Sequence, residues 1–454
     1  AFTQAGIDKE VYVQSPEGFT ADDQPPSLSA FCLLLDMALE GIKQGANLWF
    51  GLNRAAWLKL GCKSWINETN LYYHSEMGLR VGVFADDTLA GYPRGKRAQY
   101  LRMKKEYSKI IKIGSEDEIS PVIKFTRVQI HRDRMARTAT IHQTRYIEQM
   151  VESLRQEGIK LKPYDTPHGN TKEERLAFDK ILEDKDSPAI SKITFLQLMG
   201  KLVWPSSMTR PDVSMQVSTL CSCVSNPRQV HYDYALIVAG YLMEHKQLGI
   251  SYGGSLRVPY GLPKVPIGFN ESHGLYTAHD SSWGTRPKPL GGYIVMYMNG
   301  GIDWSAKLVK IVPDSTCEAE TAVGSKASKG TCFVRGLLSF HQRPVAAATP
   351  LIGDNEAMHT FVSNEGATAR TRYYERATAL MKRAALMLLL HPLLVATHYM
   401  IADMFTKPLE KSTFVRFRNI IMNCNGHTRD LLSLAISSLH GQTRRMATRL
   451  LPQL

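Results

Sequence analysis

The chain has 454 residues, 44% of them hydrophobic, with 55 Lys/Arg against 42 Asp/Glu and a formal net charge of +13. That length is enough to bury two to four domain cores, and the positive balance suits a polyanionic partner. Seven sparse cysteines without a Cys-x-x-Cys exclude a disulfide framework and the usual cysteine zinc site, and the longest apolar run, Ala384 to Ala396, holds His391 and Pro392 and is too short to span a bilayer.

In chain order, the first informative words are Val11-Tyr12-Val13-Gln14-Ser15-Pro16-Glu17-Gly18-Phe19 and a helical stretch from Ala38 to Phe50 that contains Gln44 and Gly45. Residues 79–92 predict two apolar strands joined at Asp86-Asp87, a hairpin with paired carboxylates at its tip. From Arg94 to Lys112 there are eight Lys/Arg and one Glu, with Leu101, Met103, Tyr107, Ile110 and Ile111 on one apolar side. That is either a solvated helix face or a surface that tracks a phosphate backbone, with Arg94, Lys96, Arg97, Lys104 and Lys105 as its candidate contacts. Lys162 to Ser191, with prolines, Gly169-Asn170 and mixed charges, predicts a flexible connection.

Four acids then follow in order. Asp280 lies in Thr277-Ala278-His279-Asp280-Ser281-Ser282-Trp283, ahead of two strands that turn at Asn299-Gly300. Glu320 lies on a helix beginning near Thr316, Asp354 in Ile352-Gly353-Asp354-Asn355, and Asp403 in Ile401-Ala402-Asp403-Met404-Phe405. Taken singly, Asp354-Asn355 reads equally well as a turn or helix cap, and Asp403 as a cap. Glu318 and Glu320 are two apart on one helix, so their side chains diverge by about 200° and only one can face a shared centre. Four convergent carboxylates are what two Mg²⁺ ions roughly 4 Å apart require.

Ala402-Asp403-Met404-Phe405-Thr406-Lys407-Pro408-Leu409, Trp304-Ser305-Ala306-Lys307 and Arg370-Thr371-Arg372 resemble the ribonuclease H domain of copia-type retrotransposon Pol polyproteins over residues 273–410. The Ala38 to Phe50 word, Val11 to Phe19 and Ala85-Asp86-Asp87 resemble the reverse transcriptase of the same family. Phe125 to Asp133, Asp165-Thr166-Pro167, Thr209-Arg210-Pro211-Asp212 and Ser225-Asn226-Pro227 are similar to its thumb and connection. The resemblance implies a multidomain α+β and α/β protein: a truncated palm with an antiparallel sheet and helices (1–115), thumb and connection (116–265), and a ribonuclease H-like mixed sheet with flanking helices (266–422); the tail from 423 to 454 lies beyond it, and its few Leu, Ile and Met positions point to nothing more than a weakly amphipathic helix of unknown role.

It further implies two-metal hydrolysis of RNA in RNA–DNA hybrids by Asp280, Glu320, Asp354 and Asp403, with two Mg²⁺ ions that Mn²⁺ can replace, and Asp86 and Asp87 as palm catalytic acids, Asp86 also a metal ligand. Gln44 and Gly45 join the basic residues as nucleic-acid contacts, His398 is a candidate for proton transfer, and the partners are hybrid, RNA template, DNA and other retrotransposon proteins, with no membrane. The setting implied is intracellular, in a cytoplasmic virus-like particle or the nucleus.

Departures from the pattern matter. The family's first palm aspartate falls a few residues before Ala1, so polymerase activity is expected to be lost in this chain. Phe84-Ala85 replaces the usual Tyr-Val, and Phe125-Thr126-Arg127 the usual Phe-Leu-Gly, which puts Arg127 where the backbone wants a positive φ. Two other readings stay open: a complete RNA-directed DNA polymerase with its remainder upstream, and a non-catalytic nucleic-acid-binding relic.

Overall fold

The computed structural model describes residues 2–14, 32–39, 41–116, 122–283, 289–363 and 375–424. The Arg370-Thr371-Arg372 word, part of the Val11 to Phe19 word and the tail beyond Cys424 lie outside the described residues. The chain divides into two compact units, Ala1–Glu118 with Phe340–Arg343, and Ile119–Ser339 with Pro344–Leu454. Among the described residues no helix is long and apolar enough to cross a membrane.

In the first unit, β1 (Tyr12–Gln14) and β2 (Cys32–Leu34) pair antiparallel. Helix α1 (Gly45–Lys59) buries Gly45, Trp49, Asn53, Ala56 and Trp57, one face at helical spacing. An antiparallel meander follows: β3 (Lys63–Trp65), β4 (Glu68–His74), β5 (Leu79–Phe84) and β6 (Asp87–Gly91). Leu79 and Val81 alternate into the core, and helix α2 (Arg97–Ser108) closes it by stacking Tyr107 on Trp57 with ring centroids 4.5 Å apart.

The second unit begins with an antiparallel sheet of order β10-β9-β8-β7, built from β7 (Val122–Phe125), β8 (Val128–Asp133), β9 (Thr138–His142) and β10 (Gly249–Gly253). Between the last two run α3 (Thr144–Gln156), α4 (Lys172–Asp179), α5 (Lys192–Met208), α6 (Ser214–Cys221) and α7 (Gln229–Glu244). The flexible connection expected for Lys162 to Ser191 is not what forms. Thr171 accepts from Glu174 N while the Glu174 carboxylate accepts from Thr171 N, a reciprocal cap that starts α4 and seats Phe178 in the core.

The word Thr209-Arg210-Pro211-Asp212 becomes a buried polar lock. Arg210 donates to both Asp212 oxygens at 2.9 and 2.8 Å, and Tyr241 Oη of α7 donates to Asp212 Oδ2 at 2.6 Å. Both charged side chains are fully buried, so each depends on the other for its charge.

The last sheet is mixed, of order β13-β12-β11-β14-β15, from β11 (Tyr276–Ser281), β12 (Leu290–Tyr297), β13 (Gly300–Leu308), β14 (Thr349–Gly353) and β15 (Leu390–Leu394). β11, β12 and β13 are antiparallel, and β14 and β15 run parallel to β11, the ribonuclease H-like arrangement that the resemblance implies. Helices α8 (Thr316–Phe340), α9 (Glu356–Ser363), α10 (Glu375–Leu386) and α11 (Lys411–Ile421) flank it. One core joins this sheet to the connection: Leu202, Tyr241, Ile294, Phe405 and Phe417 belong to a single buried cluster. Trp304 Nε1 of β13 donates to Ser206 O of α5 at 3.0 Å.

Candidate functional site

Each of the four late acids reaches its place by a different local device. Asp280 is near the end of β11, opposite Gly292 of β12. Glu320 is in the second turn of α8. Its neighbour Glu318 is used at the helix start, where its amide donates to Ser315 Oγ at 3.2 Å and its carboxylate accepts from Asp314 N at 2.9 Å. Glu320 faces the opposite way, and its Oε1 accepts from Ser281 N at 2.9 Å. Asp354 follows β14, and here too labour is divided between neighbours: Asn355 Oδ1 accepts from Met358 N at 2.9 Å and caps α9, leaving Asp354 to the site. Asp403 sits in a 3-10 turn, Ile401–Phe405, packed on β12.

That last packing depends on one glycine. A Cβ on Gly292 would overlap Phe405, so the Asp403 turn lies flat on the sheet only because residue 292 has no side chain.

Oxygens of Asp280, Glu320 and Asp354 lie within 4.8 Å of one another. Asp403 joins the group through a lysine: Lys407 Nζ is 2.8 Å from Asp403 Oδ1 and 3.5 Å from Asp280 Oδ2. Thr406 Oγ1 also donates to Asp280 Oδ2. Burial, then the Asp280 and Asp354 charges, push the Glu320 carboxyl well above its ordinary range. Burial and Asp280 raise Asp403 to about 7 against the opposing pull of Lys407. Burial holds His279 neutral down to about 4, so its Nδ1, 3.5 Å from Glu320 Oε2, forms no ion pair at neutral pH.

The donor set fits a hard divalent cation. It is all oxygen, and Glu320 Oε2 is buried without a hydrogen-bond partner. Asp280, Glu320 and Asp354 line a cavity of about 500 Å³ together with Ser281, Trp283, Thr406 and Lys407, and with Arg175, Leu176 and Asp179 of α4. The segment expected to be a flexible connection is thus a wall of the site. Sequence reasoning also passed over Lys407, although it lies four residues after Asp403, a spacing that places two side chains side by side on a helical turn.

The earlier candidates lie elsewhere. Asp86 and Asp87 are exposed at the β5–β6 hairpin, whose two-residue turn is Ala85-Asp86, with Asp87 already paired to Phe84 in β6. Trp49 Nε1 donates to Ala85 O at 2.8 Å, so the helix bearing Gly45 supports that turn. Among the described residues no metal-binding group of acids, histidines or cysteines forms around them. Gln44 is half-buried before α1 and Gly45 is buried at its start. Arg94, Arg97 and Lys105 are exposed, whereas Lys96 and Lys104 are half-buried, Lys104 paired with Glu116. His398 is exposed on a short 3-10 turn, its ring against Tyr399.

A small antiparallel unit, a helical segment and a mixed sheet with three acids converging near its strand ends make up a multidomain α+β protein. Residues 1–163 match the family Reverse transcriptase (RNA-dependent DNA polymerase). The chain is 26% identical over 330 residues to a transposon Ty5-1 protein of Saccharomyces cerevisiae, covering 72% of this chain and 97% of that protein. It is 23% identical over 435 residues to the retrovirus-related Pol polyprotein from transposon TNT 1-94 of Nicotiana tabacum, covering 93% of this chain and 30% of the polyprotein. A foamy viral protease-reverse transcriptase in complex with double-stranded DNA aligns with 80% of this chain and 51% of its own, at 10% identity and a TM-score of 0.38. These matches support the reverse-transcriptase region of copia-type retrotransposon Pol polyproteins as the family that the chain resembles. It spans less than a third of the length of the tobacco polyprotein.

Proposed function

We propose that the C-terminal part of this chain is a metal-dependent ribonuclease that cuts the RNA strand of an RNA–DNA hybrid. The observation that supports it most is the convergence of Asp280, Glu320 and Asp354, from three separate elements, with a partnerless Glu320 oxygen among them. Asp280, Glu320 and Asp354 would hold one Mg²⁺ or Mn²⁺ ion, and Asp280 with Asp403 a second. Bound there, the two ions would activate the attacking water and stabilise the leaving oxygen. Ser281 orients Glu320 through its amide, and Thr406 orients Asp280 through its hydroxyl. Trp283, half exposed beside the cavity, and Arg175 present an apolar face and a cation to the sugar-phosphate strand. Recognition is by duplex shape and the 2′-hydroxyl rather than by base sequence. Arg94, Lys96, Arg97 and Lys105 of the first unit add sequence-independent affinity for the same polyanion.

The test is cleavage of a labelled hybrid by the whole chain in Mg²⁺ and in Mn²⁺, with single-stranded RNA and duplex DNA as controls. Hybrid should be cut and the controls spared. Asp354→Asn should lower the rate on the order of a hundredfold or more, with hybrid binding equal or tighter because one repelling charge is gone. A folded chain that binds hybrid but cuts it in neither metal would leave the relic reading instead.

A further inference from the structure

We propose that Lys407 is a built-in cation that reserves the second ion position. Without nucleic acid the site takes one divalent ion, on the Asp280–Glu320–Asp354 side. A second enters between Asp280 and Asp403 only after a substrate phosphate has drawn the ammonium away. This rests on the reading of the centre as a metal-dependent nuclease.

The carboxylates divide into two sides. Asp280, Glu320 and Asp354 bring oxygens within 4.8 Å of one another, and Glu320 Oε2, on a residue only 2% exposed, has no hydrogen-bond partner. Asp403 is outside that trio, and its Oδ1 accepts from Lys407 Nζ at 2.8 Å. The same nitrogen stands 3.5 Å from Asp280 Oδ2, which also accepts from Thr406. The edge shared by Asp280 and Asp403 is therefore taken by an ammonium. A divalent ion arriving there meets a positive charge at contact distance, and at short range in a shielded site that repulsion is large.

The lysine has the means to leave. Its backbone is pinned, since Lys407 N donates to Asp403 O at 2.9 Å, while its side chain remains 39% exposed and lines the cavity. An ammonium on a flexible stem is a compact point charge that can pass from carboxylate to phosphate, and a phosphodiester offers it unshared oxygens. The design would keep both ions from sitting in an empty site and tie assembly of the full centre to arrival of substrate.

Binding can be counted without turnover. The whole chain, free of nucleic acid, is titrated with Mn²⁺, and the electron paramagnetic resonance signal of the free ion reports the bound fraction. Wild type should bind one Mn²⁺ per chain. Lys407→Met should bind two, the second at least about tenfold tighter than in wild type. Lys407→Arg, which keeps the charge, should stay at one. A hybrid made uncleavable by 2′-O-methyl groups should raise the wild-type count to two beyond what the hybrid binds alone. Two comparable ions on nucleic-acid-free wild type, or one on folded Lys407→Met, would overturn the inference while leaving the nuclease reading standing. Should Lys407→Met fail to fold, Lys407→Gln replaces it, and the wild-type count decides the first half regardless. No Mn²⁺ bound by any form removes the metal reading itself, and the inference with it.

Discussion

The two units present acids in opposite ways. Asp86 and Asp87 stand exposed at a hairpin within a single meander, placed by the pairing of β5 with β6 and by the Trp49 bond to Ala85 O. Asp280, Glu320, Asp354 and Asp403 come from a strand, a helix, a strand end and a 3-10 turn, and they meet only through packing on one sheet: Ala278, Ile352 and Met404 share one core cluster, and α8 packs through Ala327 against Leu351 in another. A pair at a turn needs local pairing, whereas a convergent set needs tertiary structure. The second arrangement is the easier one to break at a distance, and the expected effects below run from the largest to the smallest.

The greatest loss should come from the buried lock of the connection. Asp212→Asn leaves Arg210 charged, fully buried and without its counter-charge, and leaves one carboxamide oxygen where two carboxylate oxygens accepted from Arg210 and Tyr241. Breaking such a pair typically costs about 3–5 kcal/mol. Hydrogen exchange in β11 and β12 should accelerate with it, while peptides from β4 and β5 in the first unit keep their protection. Acceleration confined to α7 would show that connection and sheet are not one cooperative body.

Acid should weaken the second unit next. His168 accepts from Gln216 Nε2 on Nδ1 and donates from Nε2 to Leu409 O at 2.8 Å, a pattern only the neutral ring satisfies. Burial lowers its pKa to about 4. In the unfolded chain it titrates near 6.5, so between those values the unfolded state binds the extra proton. The neutral ring's contribution is complete above pH about 6.5 and is lost as pH falls towards 4, by as much as about 3 kcal/mol. Urea unfolding at pH 7 and 5 measures it together with the like-shifted His245, His279 and His359, and His168→Gln should reduce that difference by one histidine's share. An unchanged pH dependence would place the acid sensitivity in another group.

A third substitution acts on the site from the strand beside Asp280. Gly292→Ala puts a methyl where Phe405 lies, at a cost of about 1–3 kcal/mol, and lifts the turn that carries Asp403. Hybrid cleavage should fall about tenfold or more, since small displacements of a metal ligand are amplified in rate. A variant that loses stability but not cleavage would show that Asp403 is dispensable.

The legible parts of this molecule were those whose signal is local. The four acid words and the divergence of Glu318 from Glu320 could be read from neighbours in sequence, and so could the mixed sheet they imply, whereas the turn expected at Asn299-Gly300 falls one residue earlier, at Met298-Asn299, with Gly300 already paired to Tyr297. The misread connection had a local signal too, Thr171-Lys172-Glu173-Glu174, but its prolines, glycine and charges outweighed the cap. What could not be read was tertiary. Nothing near Arg175 indicates that α4 borders the acid cavity, and nothing near Gly292 indicates Phe405 above it.

The smallest effect tests a hairpin in each unit. Thr126 and Arg127 join β7 to β8 with φ of 50° and 61°, a two-residue turn that favours asparagine and glycine, and Arg127 is the residue standing where the family has glycine. Ala85 opens the β5–β6 turn with φ of 50° and is otherwise held by the Trp49 bond to its carbonyl. A side chain in this region costs about 1–2 kcal/mol, partly offset in glycine by greater freedom in the unfolded chain. Arg127→Gly should therefore stabilise the second unit by about 0.5–1 kcal/mol, and Ala85→Gly the first by a similar amount, without altering hybrid cleavage. Hydrogen exchange in β8 and in β5 reads the two separately. Should Arg127→Gly be neutral while Ala85→Gly stabilises, contacts of the arginine would be offsetting its strain, and its place in the turn would reflect accommodation rather than an uncorrected loss.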